Sequence, residues 1–234
     1  MPPPCGNKSP NNLSHPVRAR KTNIMRHLNF FIVLFYSMIF VVGCQPSKND
    51  QAVKTTTDYA KEAAHRVEER GGCEYSEIDF TAVNAYSFKN PNHWSVPADR
   101  QPDGVRLATR RDAIGDFTPN FTIVKSKVDP KLFQIGKRQL EKTYRSFMSN
   151  LEILAFEHGK LDGQDVVFTH YRGTLKGHGN PKVEQFQYFY NAPNWNYVLT
   201  FSCGQGTVEQ AQPEFDAILA SYKIWREEEQ SSDE

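Results

Sequence analysis

The chain has no apolar run of the roughly 20 residues that a helix needs to cross a bilayer; its longest, "FFIVLFYSMIFVV" at residues 30–42, stops well short. A plain transmembrane span is therefore disfavoured. Acidic residues are absent before Asp50. Cysteine is scarce, with four in the chain, no C-x-x-C pair and no cysteine spaced from histidine as zinc ligands are, which argues against a zinc site. The nucleophile elbow G-x-S-x-G, the metalloprotease pair H-E-x-x-H and the phosphate loop are all missing; "CGQGT" has two glycines but lacks the Lys-Ser/Thr and its setting. The sequence thus names no catalytic residue, no metal and no cofactor.

What precedes residue 50 has the polarity of an export signal. Arg18, Arg20, Lys21 and Arg26 stand before the apolar run, and small residues end it. Val41-Val42-Gly43-Cys44 resembles the bacterial lipobox, in which a cysteine is diacylated on sulfur and becomes the new N-terminus after cleavage, with valine here where leucine is usual. The chemistry asks for these types. A small Gly43 admits the peptidase to the backbone beside the cut, and the Cys44 thiol is the nucleophile suited to thioether formation. "QPSKND" then reads as the start of a tether. Each buried lipid CH₂ contributes about 0.8 kcal/mol, so two or three acyl chains would hold the protein durably on a membrane. An uncleaved anchor with a palmitoylatable cysteine is the alternative, and either way the domain is tethered. Residues 1–43 are expected to be signal peptide. "MPPPCGNKSPNNLSHPVRARKTNI" lacks periodicity and Met25-Arg26-His27 would begin a signal of ordinary size, so translation is expected to start at Met25. If Gram-negative sorting applies, Gln45 in place of Asp favours the outer membrane.

The 28 basic residues include five before Cys44, whereas none of the 27 acids does. The mature chain therefore holds 23 bases against 27 acids, a net charge near −4 that argues against nucleic acid, which wants a basic face. Beyond Cys44 the mature part has only Cys73 and Cys203. In an exporting compartment such a pair suggests one disulfide, worth about 4 to 5 kcal/mol less any strain for so long a loop. The other reading makes Cys203 a small buried hydrophobe and Cys73 an exposed thiol.

Along the chain, residues 44–72 read as lipidated N-terminus, tether and a short spacer helix, "DYAKEAAHRVEER", that Gly71-Gly72 ends. Residues 73–226 suit one globular domain, and 227–234 an acidic solvated tail. Inside the domain "IDFTAVNAYSF" alternates as a strand from Ile78 to Phe88, "PNHWSV" is a turn into a short extended piece, and "GVRLATRR" and "PNFTIVKSKV" are strands. "DPKLFQIGKRQLEKTYRSFMSN" switches to helix. Asp129 is its expected N-cap; Phe133, Gly136, Leu140, Tyr144 and Phe147 share one face, leaving Lys137, Arg138, Glu141, Lys142 and Arg145 to water. Asp162-Gly163 joins two strands in a tight hairpin. "KVEQFQYFYNA" and "NWNYVLTFSC" pair next, and a helix from Val208 or Pro213 to Ile224 carries the stripe Ala211, Phe215, Ile218, Leu219 and Tyr222. Strands clustered between helices predict an α+β fold: a twisted, mainly antiparallel sheet with helices packed on it.

"YSFKNPNHWSV", the long helix after the third strand, "KLDGQDVVFTHYRG", the aromatic strand pair and "FDAILASYKI" together resemble the DcrB-related and PsbP-like lipoprotein domains. The likeness covers Ile78 to Ile224. It implies an α/β/α sandwich in a lipid-anchored, envelope-facing protein, with no catalytic set.

Histidine titrates nearest neutral pH, so His93, His158, His170 and His178 are the first candidates for chemistry. None is spaced for metal binding. His170 and Arg172 share one strand face, and Val167, Thr169 and Tyr171 the other. The densest feature is aromatic: Phe186, Tyr188 and Tyr190 alternate on one face of their strand, and Tyr197, Leu199 and Phe201 on the next. A sheet under a helix buries such rings, whereas a face left open would be a binding groove formed by Phe186, Tyr188, Tyr190, Tyr197, His170 and Arg172. Trp94 and Trp195 read as packing anchors. The expected role is a non-catalytic binding or interaction module, held on its membrane through Cys44 and meeting an envelope protein partner. The alternative is an envelope hydrolase with His170 or carboxylates as acid and base.

Overall fold

The structure, a computed structural model, describes residues 53–73, 75–76, 86–96, 105–127, 136–177, 179–192 and 195–224. All of them belong to the second of two units, Gly43–Glu234. The signal segment, Cys44, most of the expected strand from Ile78, Asp129, Phe133 and His178 lie outside the described residues, as does the acidic tail.

The elements begin with β1 (Val53–Asp58) and α1 (Tyr59–Glu69), followed by four short strands: β2 (Tyr75–Ser76), β3 (Tyr86–Ser87), β4 (Asn90–Pro91) and β5 (Trp94–Ser95). Then come β6 (Val105–Arg110), β7 (Asn120–Lys127), α2 (Lys137–Phe147), β8 (Met148–Leu161) and β9 (Gln164–Leu175). The chain continues through β10 (Lys182–Ala192), β11 (Trp195–Gly204), α3 (Val208–Ala220) and β12 (Lys223–Ile224). Eight strands form one sheet in the order β1-β8-β9-β10-β11-β7-β6-β5. Only its edge pairing, β1 with β8, is parallel. The β8–β9 hairpin turns at Asp162 and Gly163, with φ of 49° and 77°, the left-handed pair that a two-residue turn of the favoured hand requires. Asp162 also accepts the Ile224 backbone N–H at 2.9 Å, pinning the turn to the chain's last described strand.

Alternation along β10 and β11 divides the side chains between two layers. In register, Phe186 opposes Phe201, Tyr188 opposes Leu199 and Tyr190 opposes Tyr197 on the first face; Gln187 with Thr200 and Phe189 with Val198 occupy the second. On the first face α3 buries Ala211, Phe215, Ile218 and Leu219, and Phe215 meets Phe201 at 5.1 Å between ring centroids. Beside it α1 buries Tyr59, Ala60 and Ala63, with Tyr59 edge-on to Tyr188 at 5.2 Å. On the second face α2 buries Leu140, Tyr144 and Phe147, and Tyr144 stacks on Tyr171 at 4.1 Å. The result is three layers, helix on sheet on helix, as the α+β reading predicts.

Three expectations are corrected. The segment read as a spacer helix is part of the domain: α1 packs on α3, its Arg66 and Arg70 pair with Asp216, and the residues before it form the edge strand β1. The helix carrying Leu140 and Tyr144 starts only after Gly136, whose extended backbone (φ −81°, ψ 158°) makes it the N-cap, so Asp129 does not cap it. Cys73 and Cys203 form no disulfide; Cys203 is buried in the core on the first face and Cys73 half-buried beyond the end of α1. No helix of the described residues is long and apolar enough to cross a membrane.

Candidate functional site

The six residues proposed as a binding face divide into two sets. Tyr188, Tyr190 and Tyr197 are core: the last two have no exposed surface, stack on each other at 5.0 Å, and meet Tyr222 and Tyr86 above them. Tyr190 and Tyr222 share a hydrogen bond of 2.7 Å between their hydroxyls. Burial drives both phenols well above their ordinary pKa, and that of Tyr197 up to about 12, so none ionises at neutral pH. Helices cover this part of the face, so these rings are the buried core that a sheet under helices requires, and the alternative of an open groove does not hold for them.

The remaining three, Phe186, His170 and Arg172, lie toward the end of the sheet where β8 begins and β9 ends. Register sets Glu152, Arg172, Glu184 and Cys203 in one row across β8, β9, β10 and β11, and Ala155, His170, Phe186 and Phe201 in the next. His170 Nε2 lies 2.7 Å from Glu184 Oε1, and the imidazole stacks on the Phe186 ring at 4.2 Å. Arg172 donates from Nε and Nη2 to Glu152 Oε2 at 2.8 and 2.7 Å. The side chains grow more exposed along this series: Glu184 10%, His170 22%, Arg172 38% and Glu152 54%.

Chemically, this cluster is a fixed patch of alternating charge with one aromatic edge. A nucleophile is not part of it. The nearest thiol, Cys203, donates to the Glu184 carbonyl at 3.7 Å, and burial pushes it up to about 12, so it stays protonated near neutrality. Glu214 is likewise engaged, accepting from Trp94 Nε1 at 2.8 Å and from Arg110 Nε at 3.0 Å. Among the described residues no group of three His, Cys, Asp or Glu side chains is placed to hold a metal ion. Trp94 is the packing anchor expected of it, 1% exposed, whereas Trp195 stays 36% exposed with Lys125 Nζ 4.1 Å over its ring. Sequence reading missed Glu184 and Glu152. Glu184 shares the parity of Phe186 on β10, so the signal existed, but its partner could be named only once β9 and β10 were known to be neighbours.

No family model matches the chain, and no curated protein matches it. Solved structures do. The cyanobacterial PsbP protein CyanoP from Synechocystis sp. PCC 6803 is similar over 63% of this chain and 92% of its own, at 15% identity and a TM-score of 0.42. The Ran-binding protein Mog1p of Saccharomyces cerevisiae is similar over 66% of this chain and 97% of its own, at 8% identity and a TM-score of 0.46. LpqN of Mycobacterium tuberculosis, described as involved in cell envelope biogenesis, is similar over 65% of this chain and 91% of its own, at 11% identity and a TM-score of 0.43. A Bacteroides thetaiotaomicron structure is longer, and the chain spans 46% of it. The chain is thus similar to structures that include a PsbP protein, while a relation to DcrB-related domains is not shown.

Proposed function

We propose that this chain is a lipoprotein of the bacterial envelope, anchored through acylated Cys44, whose folded domain binds a partner and catalyses no reaction. One observation carries the reading: a basic, acid-free leader and a 13-residue apolar run end on Val41-Val42-Gly43-Cys44. The domain supplies what a binding role needs, a rigid three-layer frame with a patch at the sheet end where Glu152, Arg172 and His170 reach solvent. A protein of the envelope is the expected partner. The test is mass spectrometry of the mature N-terminus from native membranes. A diacylglyceryl group on Cys44, lost in the Cys44→Ala variant, supports the proposal; a protein that retains residues 30–42 refutes it.

The 2.7 Å His170–Glu184 pair favours a second reading, an envelope hydrolase with His170 as acid and base. Isolated envelope incubated with the protein would then release soluble fragments, and the His170→Asn variant would release none. Equal release by both removes that reading.

A further inference from the structure

The two helical layers carry opposite charge. On α2, Lys137, Arg138, Lys142 and Arg145 are all exposed, against the single acid Glu141, which is itself paired with Arg145 at 3.0 Å. On α1 and α3 the exposed acids are Glu62, Glu68, Glu69 and Glu209, against exposed Lys61 and Arg70, while Asp216 is buried under Arg66 and Arg70 and Glu214 is paired with Arg110. Arg138, Lys142 and Arg145 follow one another at helical spacing, so they form a stripe along the face opposite buried Leu140, Tyr144 and Phe147. Lys176, also exposed, extends the patch where its Nζ donates to the Arg145 carbonyl. Among the described residues no carboxylate lies within ion-pair distance of Lys137, Arg138, Lys142 or Lys176.

The anchor keeps the domain close to its membrane. Eight residues, 45–52, separate Cys44 from the start of β1, so the tether reaches at most about 28 Å. Val53 pairs with Glu157 of β8, the strand that α2 contacts on one face of the sheet and α1 on the other. The chain therefore enters the domain at the sheet edge, between the two helical layers, and a tether this short holds the domain at a high effective concentration against its own bilayer, where charge selects the face that meets it.

We propose that the outer face of α2 lies against the anionic headgroups of the leaflet that holds the Cys44 anchor. This rests on the anchored reading above. The contact is coulombic: Lys137, Arg138, Lys142, Arg145 and Ser146 are the exposed residues of the helix, and none is apolar enough to insert. Each Lys or Arg near a charged membrane surface changes partition by roughly fivefold, so neutralising three is worth on the order of a hundredfold at low salt. Screening removes most of it once the Debye length shrinks to roughly 3 Å, near 1 M salt. The same geometry turns α1 and α3 away from the bilayer and leaves the acidic layer to the aqueous side.

The test uses the native lipidated protein reconstituted in vesicles of phosphatidylcholine alone or of equal parts phosphatidylcholine and phosphatidylglycerol. Lysines are labelled with an amine-reactive reagent and read by mass spectrometry. On anionic vesicles the labelling of Lys137 and Lys142 falls several-fold, Lys61 on α1 labels equally on both, and high salt restores α2. The variant R138Q/R145Q, altered only at exposed positions, loses the protection of Lys137 and Lys142. Equal labelling of α2 on both vesicle types, with the protein still vesicle-bound, overturns the docking proposal and leaves the anchor standing. Protection that appears only when envelope protein is added overturns it too, assigning the face to an acidic protein. Failure to associate with neutral vesicles at all removes the anchored reading, and this proposal with it.

Discussion

Asp216 of α3, with no exposed surface, receives Arg66 of α1 in a two-pronged pair, Nε to Oδ2 at 3.0 Å and Nη2 to Oδ1 at 2.8 Å. Arg70 adds a third contact at 2.7 Å and Gln212 a fourth at 2.9 Å. The arrangement is asymmetric, because the carboxylate is buried while both guanidiniums keep one edge in water. Removing both arginines strands a buried charge, and R66A/R70A is expected to lose about 3 to 5 kcal/mol in urea unfolding. Asp216→Asn, which returns the arginines to solvent, is expected to cost less. A double variant as stable as the parent would show that α1 is not held this way.

Gly159 gives a second test that α1 belongs to the domain. A Cβ there would stand 2.5 Å from the Tyr59 ring and 3.0 Å from the Thr57 carbonyl. Gly159→Ala must displace Tyr59, break its 3.2 Å bond to Glu157 and loosen the start of the helix. The expected loss is about 1 to 3 kcal/mol, with amide exchange rising first across 59–69. Unchanged exchange there would contradict the packing.

On the opposite face, the Tyr144 hydroxyl donates to Gln187 Oε1 at 2.7 Å and lies 3.2 Å from Thr169 Oγ1, while Gln187 Nε2 donates to Thr200 at 3.0 Å. Tyr144→Phe keeps the ring's stack on Tyr171 and leaves the Gln187 carbonyl oxygen without its donor in a buried site. Its expected cost is about 1 to 3 kcal/mol by chemical denaturation. A neutral result would mean that water replaces the hydroxyl.

The two unbridged cysteines should behave differently. Cys73 is expected to react with a thiol reagent in the native protein, and buried Cys203 only after unfolding; denatured, unreduced protein showing no thiol would restore the disulfide. The pH dependence has a definite sign. The Cys203 thiol is raised from 9.0 when unfolded to about 12 when folded, so the unfolded chain ionises first. Native stability is intact below about 9 and declines as pH rises toward about 12. Buried tyrosines add the same trend, so the comparison is with Cys203→Ala, whose decline should be shallower.

How much of this was readable from the chain depended on what each residue contributes locally. Asp162-Gly163 announces its turn because few other pairs accept both positive φ values, and the alternation of β10 and β11 fixes which rings share a face. Alternation does not say what covers a face. Tyr188 and Tyr190 therefore read more readily as core than as groove, and the choice closed only when α1 and α3 were seen above them. The first helix was misjudged because it is buried through Ala60 and Ala63, small residues with almost no hydrophobic signal, and is fastened through charges that read as solvent-facing. In "VKTTTD" the β-branched threonines were the signal for β1, but one polar strand at a sheet edge has no inward face to reveal it. The His170–Glu184 pair joins residues 14 apart across a strand pairing, a relation of register that no local spacing encodes.

The parallel edge strand also determines how the domain answers a mechanical load. A pull applied upstream of Val53 is borne first by the few backbone bonds that β1 makes to β8, and after them by α1. The next resistance is the pair of guanidiniums gripping one carboxylate, which would act as a latch: until it ruptures, the antiparallel hairpins feel almost no tension. Stretched from its N-terminal end, the molecule would yield in two stages, giving up about 17 residues of slack, 53–69, before the sheet itself is strained.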